Sequence, residues 1–319
     1  MEEQFETRTL IPPAALKPLL ARRTWPSVIR LTLHLLAFAG FGIALTLNAT
    51  RPWLALPLAV ALAWVWSSLF APFHECTHRT AFRSPAGNRM GAWITGIPFG
   101  MAPSVYRTFH YEHHRHTQDL ARDPELLDPR YALWPDTRLG WFIANSGYGL
   151  MMLKIRPLLG FALKDSSRWQ EFAPWVSQAT DPEQLARECR ILLACWVGFL
   201  GSVLLLPGGL WWWFAAWFTH VFQTLWVSAE HSGLPHEGSI LRRTRTVRTN
   251  PFVRFWLWNM NYHAEHHGWP AIPWHQLPAA HNQISAHLES NVRGYTALQS
   301  NIYHGRDLPV GDPHPASVA

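Results

Sequence analysis

ILLACWVGFLGSVLLLPGGLWWWFAAWFTHVFQTLWVSA, residues 191–229, runs for 39 residues without a charge and is broken near its middle by Pro207-Gly208-Gly209. A helix needs about 20 apolar residues to cross a bilayer, so the run reads as two spans joined by a tight turn. The pattern occurs once more toward the N-terminus. Residues 31–50 are uncharged over 20 positions and residues 52–73 over 22, with only Arg51 between them. Four transmembrane helices in two hairpins are therefore expected, at roughly 28–50, 52–74, 188–206 and 210–231. Buried helices of a soluble enzyme would carry polar stripes, and these runs have none.

Of the 27 basic residues, only Arg51 falls at a hairpin tip. Arg22, Arg23, Arg79, Arg83, Arg89, Arg242, Arg243, Arg245 and Arg248 flank the opposite ends. The positive-inside rule then places both termini in the cytoplasm, and a bacterial inner membrane is the expected location. The net charge of +6 follows from this bias, with anionic membrane lipid as its partner. No basic stripe alternates with exposed aromatics, so nucleic acid is excluded as a partner.

The domain organisation expected is a cytosolic N-terminal segment (1–27), a membrane domain (28–304) and a disordered tail (305–319). The first segment holds Pro12, Pro13, Pro18 and Pro26 and does not read as a signal peptide; the tail is dominated by Gly, Pro, Asp and Ser. Between the hairpins, residues 90–106 suit a re-entrant or interfacial segment and residues 131–160 a helix lying in the interface. Cys76, Cys189 and Cys195 form no CxxC, which excludes an iron–sulfur cluster and leaves a reducing compartment as the expectation.

Three short histidine clusters lie beside these runs: His74-Glu75-Cys76-Thr77-His78, His110-Tyr111-Glu112-His113-His114 and His263-Ala264-Glu265-His266-His267. Their 15 positions hold 8 of the 18 histidines, and the charge pattern places all three on the cytoplasmic side. Residues three and four apart share a helix face, so HxxxH and HxxHH each aim a row of ring nitrogens toward one point. Neutral imidazole suits iron, zinc, copper and nickel. Eight rings exceed the four or so ligands of a single zinc and suit a dinuclear site. The fourth span ends Glu230-His231; such a pair closing an uncharged helix is costly without a partner or a metal, so His231 is a ninth ligand candidate. A metal-bound histidine usually donates its other N–H to a carboxylate or carbonyl, which makes Glu75, Glu112, Glu265 and Glu230 candidates to orient the rings. His220, three turns earlier, reads as a packing or channel-lining residue. His34, His116, His236, His275, His281, His287, His304 and His314 read as ordinary histidines, with His116 near enough to the second cluster to support it.

Two other classes fit part of this pattern. HECTH matches the H-E-x-x-H zinc-protease helix, with Glu75 as general base, but leaves the other two clusters unexplained. A histidine-rich metal carrier would place its ligands near the bilayer midplane, whereas these lie at helix ends.

The chain resembles the membrane fatty acid desaturase superfamily of histidine-box, non-haem di-iron oxygenases over most of residues 28–285. The resemblance rests on HECTH at 74–78, HYEHH at 110–114, NMNYHAEHH at 259–267 and IPWHQLPAAH at 272–281. It implies an all-α integral membrane fold with a cytosolic helical cap carrying a di-iron site. The two iron ions would be bound by His74, His78, His110, His113, His114, His231, His263, His266 and His267, with O2 as co-substrate. The activity implied is desaturation of a fatty-acyl or similar long apolar chain; hydroxylases and ketolases share the same boxes. Electrons would come from a ferredoxin, rubredoxin or cytochrome b5-type donor with its reductase, since no redox domain is recognisable in the sequence. The basic loop 242–248 is a candidate docking surface for an acidic donor. Trp211, Trp212, Trp213, Trp217 and Trp226 are candidates to line an acyl tunnel, with lipid-facing interfacial anchoring as the alternative for the first three.

Two departures stand out. Val227 occupies the position one turn before His231 where the stearoyl-CoA branch carries Asn, and Gly268-Trp269-Pro270 replaces the commoner Leu-Phe-Pro. The haem motif HPGG found in some members has only Leu206-Pro207-Gly208-Gly209 as a counterpart, without the His.

Overall fold

The computed structural model describes residues 9–127, 137–178 and 181–304. The expected tail at 305–319, His314, residues 1–8 of the N-terminal segment and the beginning of the 131–160 segment lie outside the described residues. The described chain is mostly helical, with one two-stranded sheet that the all-α expectation did not include.

Among the described residues, two helical stretches are long and apolar enough to cross a bilayer. The first is α2 (Thr24–Leu47), which follows the short α1 (Pro13–Leu19). The second joins α3 (Pro52–Ser68) to α4 (Phe70–Thr77). Pro52 opens α3 at a position whose N–H has no helical partner, so the missing donor costs nothing. The remaining two expected spans correspond to α9 (Pro182–Leu204) and α10 (Gly209–His231). These are less uniformly apolar: α9 begins with Glu183, Arg187, Glu188 and Arg190, and α10 carries five tryptophans.

Packing centres on α3, which lies between α2 and α10. Ala55, Ala59 and Ala63, spaced one turn apart and fully buried, give α3 a flat face on which neighbouring backbones can approach closely. At the far end the two hairpin tips touch. A Cβ on Gly208, at φ +75°, would lie 2.1 Å from the Cβ of Ala49, so this turn requires glycine. Trp211 Nε1 donates to Ala49 O at 3.1 Å and Trp212 Nε1 to Thr46 Oγ1 at 3.0 Å. Trp213 and Trp217 point outward, while Trp226 is buried.

Between the hairpins come α5 (Pro85–Phe99), α6 (Pro103–His116), α7 (Arg138–Asn145) and α8 (Tyr148–Leu163). Ser84 caps α5 by accepting from Gly87 N at 3.0 Å, and Gly100 ends it in the left-handed conformation. The 90–106 segment is thus two helices with a turn, packed against α4. After α10 the chain forms β1 (Thr246–Arg248), α11 (Pro251–Trp256), α12 (His263–Gly268), α13 (Leu277–Ile284), β2 (Asn291–Arg293) and α14 (Tyr295–Tyr303). The strands are parallel, with Thr246 opposite Asn291 and Val247 opposite Val292. Ile11 and Leu19 are buried in a core with Ile240, Leu241, Leu277 and Ile284, so the N-terminal segment packs against the third cluster's neighbourhood.

Candidate metal centre

Four helical segments deliver nine imidazoles to one buried region: His74 and His78 from the end of α4, His110, His113 and His114 from α6, His231 from the last position of α10, and His263, His266 and His267 from α12. The rings form two groups. His74, His78, His110, His114 and His266 make one, and His113, His231, His263 and His267 the other; within each, ligand atoms lie within 4.8 Å of one another.

The HxxHH triplets do not each aim at a single point. On α6, His110 and His114 are one turn apart and face the first group, while His113, about 100° round from His114, faces the second. On α12 the pairing reverses: His263 and His267 join the second group and His266 the first. Each triplet therefore serves both groups. His114 and His267 stack across the divide with ring centroids 4.1 Å apart.

The nitrogen spacings are those of a ligand shell. In the first group successive Nε2 atoms are 2.9 Å (His78–His110), 2.9 Å (His110–His114), 3.2 Å (His114–His266) and 2.8 Å (His266–His74) apart. Such a row cannot satisfy itself by hydrogen bonding. A neutral imidazole has one N–H, and a nitrogen that donates keeps no lone pair with which to accept. A shared cation removes the conflict. With a metal–nitrogen distance of about 2.1 Å, ligands at right angles lie about 3 Å apart, as here. In the second group the Nε2 atoms of His231 and His263 are 2.9 Å apart, and His267 Nε2 is buried without a hydrogen-bond partner.

Several outer nitrogens are held so that Nε2 faces inward. His113 Nδ1 donates to Asp123 Oδ1 at 2.9 Å and His231 Nδ1 to Arg243 O at 2.9 Å. His267 Nδ1 lies 3.1 Å from Thr117 Oγ1 and His74 Nδ1 3.2 Å from the Tyr106 hydroxyl. Protonation at Nδ1 fixes the tautomer that presents the Nε2 lone pair to a metal.

The four glutamates considered from sequence have different surroundings. Glu230 Oε1 is 3.5 Å from His263 Nδ1. Glu75 accepts from Trp274 N at 2.9 Å, so it ties α4 to the 269–276 loop and is not aimed as the base a protease would need. Glu112 pairs with Arg115 at 2.5 Å, on the outer side of α6. Glu265 accepts from Thr246 Oγ1 at 2.5 Å and from His281, locking α12 to β1 and α13. The carboxylate in closest contact with a cluster ring is Asp123, which sequence reasoning missed. It sits in the turn ten residues beyond His113, where spacing carries no helical signal. The only available cue was an Asp-Pro pair soon after the second cluster.

Backbone strain marks the cluster boundaries. Arg79 (φ +61°), Gln118 (φ +64°), Trp258 (φ +48°) and Asn259 (φ +58°) adopt left-handed conformations just after α4, just after α6 and just before α12. Such residues cost about 1–3 kcal/mol each and persist only where surroundings hold them. Gln118 N donates to Asp123 Oδ2 at 2.7 Å and its Nε2 to His231 O at 2.9 Å, so this one residue links α6 to α10. Arg245, fully buried, donates to Ala229 O and Ser232 O at 2.7 Å each and closes the end of α10 around His231.

Burial drives His78, His110, His114, His263 and His267 well below the ordinary histidine range, and neighbouring imidazoles add to the shift. His113 is the exception. Burial lowers it, but Asp123 and Glu125 more than offset this and raise it to about 9.

An apolar cavity of about 420 Å³ adjoins the first group, lined by Met101, Val105, Tyr106, Phe109, Leu153 and Trp175 among others. Tyr106 belongs to both, since its ring stacks on His110 with centroids 5.0 Å apart. The expected docking strip at 242–248 is not a continuous basic surface. Arg242 is exposed, but Arg245 is buried and Arg243 donates to Thr117 O at 3.3 Å.

A family model described as fatty acid desaturase matches residues 51–299. The chain is similar to a sphingolipid delta(4)-desaturase of Candida albicans, 25% identical over 309 residues, covering 87% of this chain and 78% of that protein. It is similar to a chloroplastic omega-6 fatty acid desaturase of Brassica napus, 24% identical over 311 residues, covering 86% and 62%. A human sphingolipid delta(4)-desaturase/C4-monooxygenase is 26% identical over 242 residues, covering 70% and 68%. The chain thus spans less than two thirds of the chloroplast protein's length.

Proposed function

The chain belongs to the fatty acid desaturase family, and from that premise we propose that it is a four-span membrane enzyme that uses O2 and external electrons to desaturate a fatty-acyl or similarly long apolar chain. The observation that carries this is the division of nine imidazoles into groups of five and four, ligand sets for two metal ions rather than one. An all-nitrogen donor set suits iron. In this assignment His74, His78, His110, His114 and His266 hold one iron, and His113, His231, His263 and His267 the other.

Bound there, iron supplies the dioxygen chemistry that removes hydrogen from an unactivated C–H bond. The chain's own residues orient, exclude water and admit substrate. Asp123 and the Arg243 carbonyl keep His113 and His231 protonated at Nδ1, fixing the ring orientations. Phe70, Tyr106, Phe109 and Trp226, all buried, wall the first group from water. Tyr106 forms the boundary between the cavity and that group, which makes the cavity the natural seat of an apolar chain. Helices α2, α3 with α4, α9 and α10 supply the spans within a membrane domain at 28–304. The distribution of Lys and Arg puts the metal-bearing ends on the cytoplasmic side. A ferredoxin, rubredoxin or cytochrome b5-type donor with its reductase supplies the electrons.

The test is turnover with a compatible donor under isotope-labelled O2. A product lighter by two hydrogens, with label only in water, supports desaturation. Label in the organic product means hydroxylation or ketolation, a second reading favoured by the similarity to a relative named for both activities. One zinc per chain with proteolysis dependent on Glu75 overturns both.

A further inference from the structure

Among the charged side chains that line the cavity, one is buried and has no ion-pair partner. Lys154 of α8 lines the 420 Å³ cavity and is 6% exposed. Its Nζ donates to Phe99 O at 3.3 Å and to Gln223 Oε1 at 3.1 Å, and lies 3.2 Å from the centre of the Phe99 ring. These partners are all neutral, and no carboxylate among the described residues forms an ion pair with it. From α10 the facing groups are Gln223 and His220, whose Nδ1 bonds to Ala216 O at 3.0 Å. Glu171 also lines the cavity but is engaged by Arg168 and Lys164.

An ammonium removed from water without a counter-charge is strongly disfavoured, and burial pushes the Lys154 pKa well below the ordinary lysine range. An anion entering the cavity supplies what is missing. Arg156, Gln170 and Glu171 also contribute to the wall, but most of its lining is apolar, so a small hydrated anion would leave most of it unfilled, whereas an acyl chain covers it. The position is also near the chemistry. Phe99 and Phe70 stand between Nζ and the first group, with 5.1 Å between their centroids and 5.7 Å from Phe70 to the His74 ring.

We infer that the cavity takes a long-chain acyl group by its end carboxylate, with Lys154 as the anchor. The identification of the chain as the substrate rests on the desaturase reading; the anchor itself does not. The experiment measures equilibrium binding to purified full-length protein of three probes: a saturated long-chain fatty acid, its methyl ester and the alkane of equal length. The acid should bind about tenfold or more tighter than the ester, the scale of one charge-assisted hydrogen bond. Lys154→Met should reduce acid binding to the ester's level while leaving ester binding and metal content unchanged, and Lys154→Arg should restore part of the preference. If Lys154→Met does not fold, Lys154→Gln replaces it.

Equal binding of acid and ester, no binding of the acid, or an undiminished preference in Lys154→Met overturns the inference. So does a preference abolished by Arg156→Met alone, because Arg156 also lines the cavity. A Lys154-dependent preference without any unsaturated product leaves the anchor standing and removes the desaturase reading. Unsaturated product without the preference does the reverse.

Discussion

Replacing Asp123 with Asn tests how the second histidine group is held. The Asp123 carboxylate is 1% exposed and accepts three bonds: from His113 Nδ1 at 2.9 Å, Gln118 N at 2.7 Å and Glu125 N at 3.0 Å. An amide has one oxygen, so its NH2 must face either the His113 N–H or the Gln118 N–H. Losing one charge-assisted bond and leaving a buried donor unpaired costs about 1.5–3 kcal/mol. Loss of a partner to a ligating histidine typically weakens metal binding by about 10–100-fold, and at about 1.4 kcal/mol per tenfold the two figures agree. His113 serves the second group alone. Iron content should therefore fall from about two per chain toward one, and chelator competition should show one weakened site and one unchanged. Glu112→Gln is the control, because that residue lies on the same helix but pairs with Arg115, and it should keep both irons. Full iron content with two unchanged affinities in Asp123→Asn would refute the assignment of Asp123 as the group that orients His113.

His78→Ala, His114→Ala and His266→Ala should each abolish turnover, with His304→Ala nearly silent; substantial activity in two of the first three would remove the clusters from the site. His231→Ala should cause severe loss of activity and of the second metal, and full activity would take it off the ligand set. Arg245→Lys cannot reproduce the guanidinium fork to Ala229 O and Ser232 O. It should destabilise by about 1–3 kcal/mol and lower metal occupancy through His231, as read by thermal melting and iron analysis. The metal-free protein should be most stable near pH 6.5. Below that value the unfolded chain protonates histidines that burial keeps neutral in the fold, so stability falls with pH. Above it, the stabilisation from His113, raised to about 9, is lost as pH climbs through that value. A melting temperature flat from pH 9 to 5 would contradict these shifts.

The family, the metal-binding character and the nine candidate imidazoles were legible in the chain, because ligand chemistry is written in residue type and short helical spacing. The apolar run 191–229 and its Pro-Gly-Gly break already marked a hairpin, since burial of a helix in lipid demands apolar residues throughout its length. Spacing within α6 and α12 could not show that His113 and His266 cross to the other group; that depends on how the two helices are rotated against α4 and α10. Asp123 and Tyr106 became site residues only through a turn and a helix packing that no local pattern encodes. The basic loop at 242–248 looked like a surface in sequence, yet the structure turns Arg245 inward to cap α10, because helix-end carbonyls buried away from water need a donor. Lys154 appeared as one charge among scattered charges, and only the closing of α5 and α10 around it stripped it of water and left it neutral partners alone.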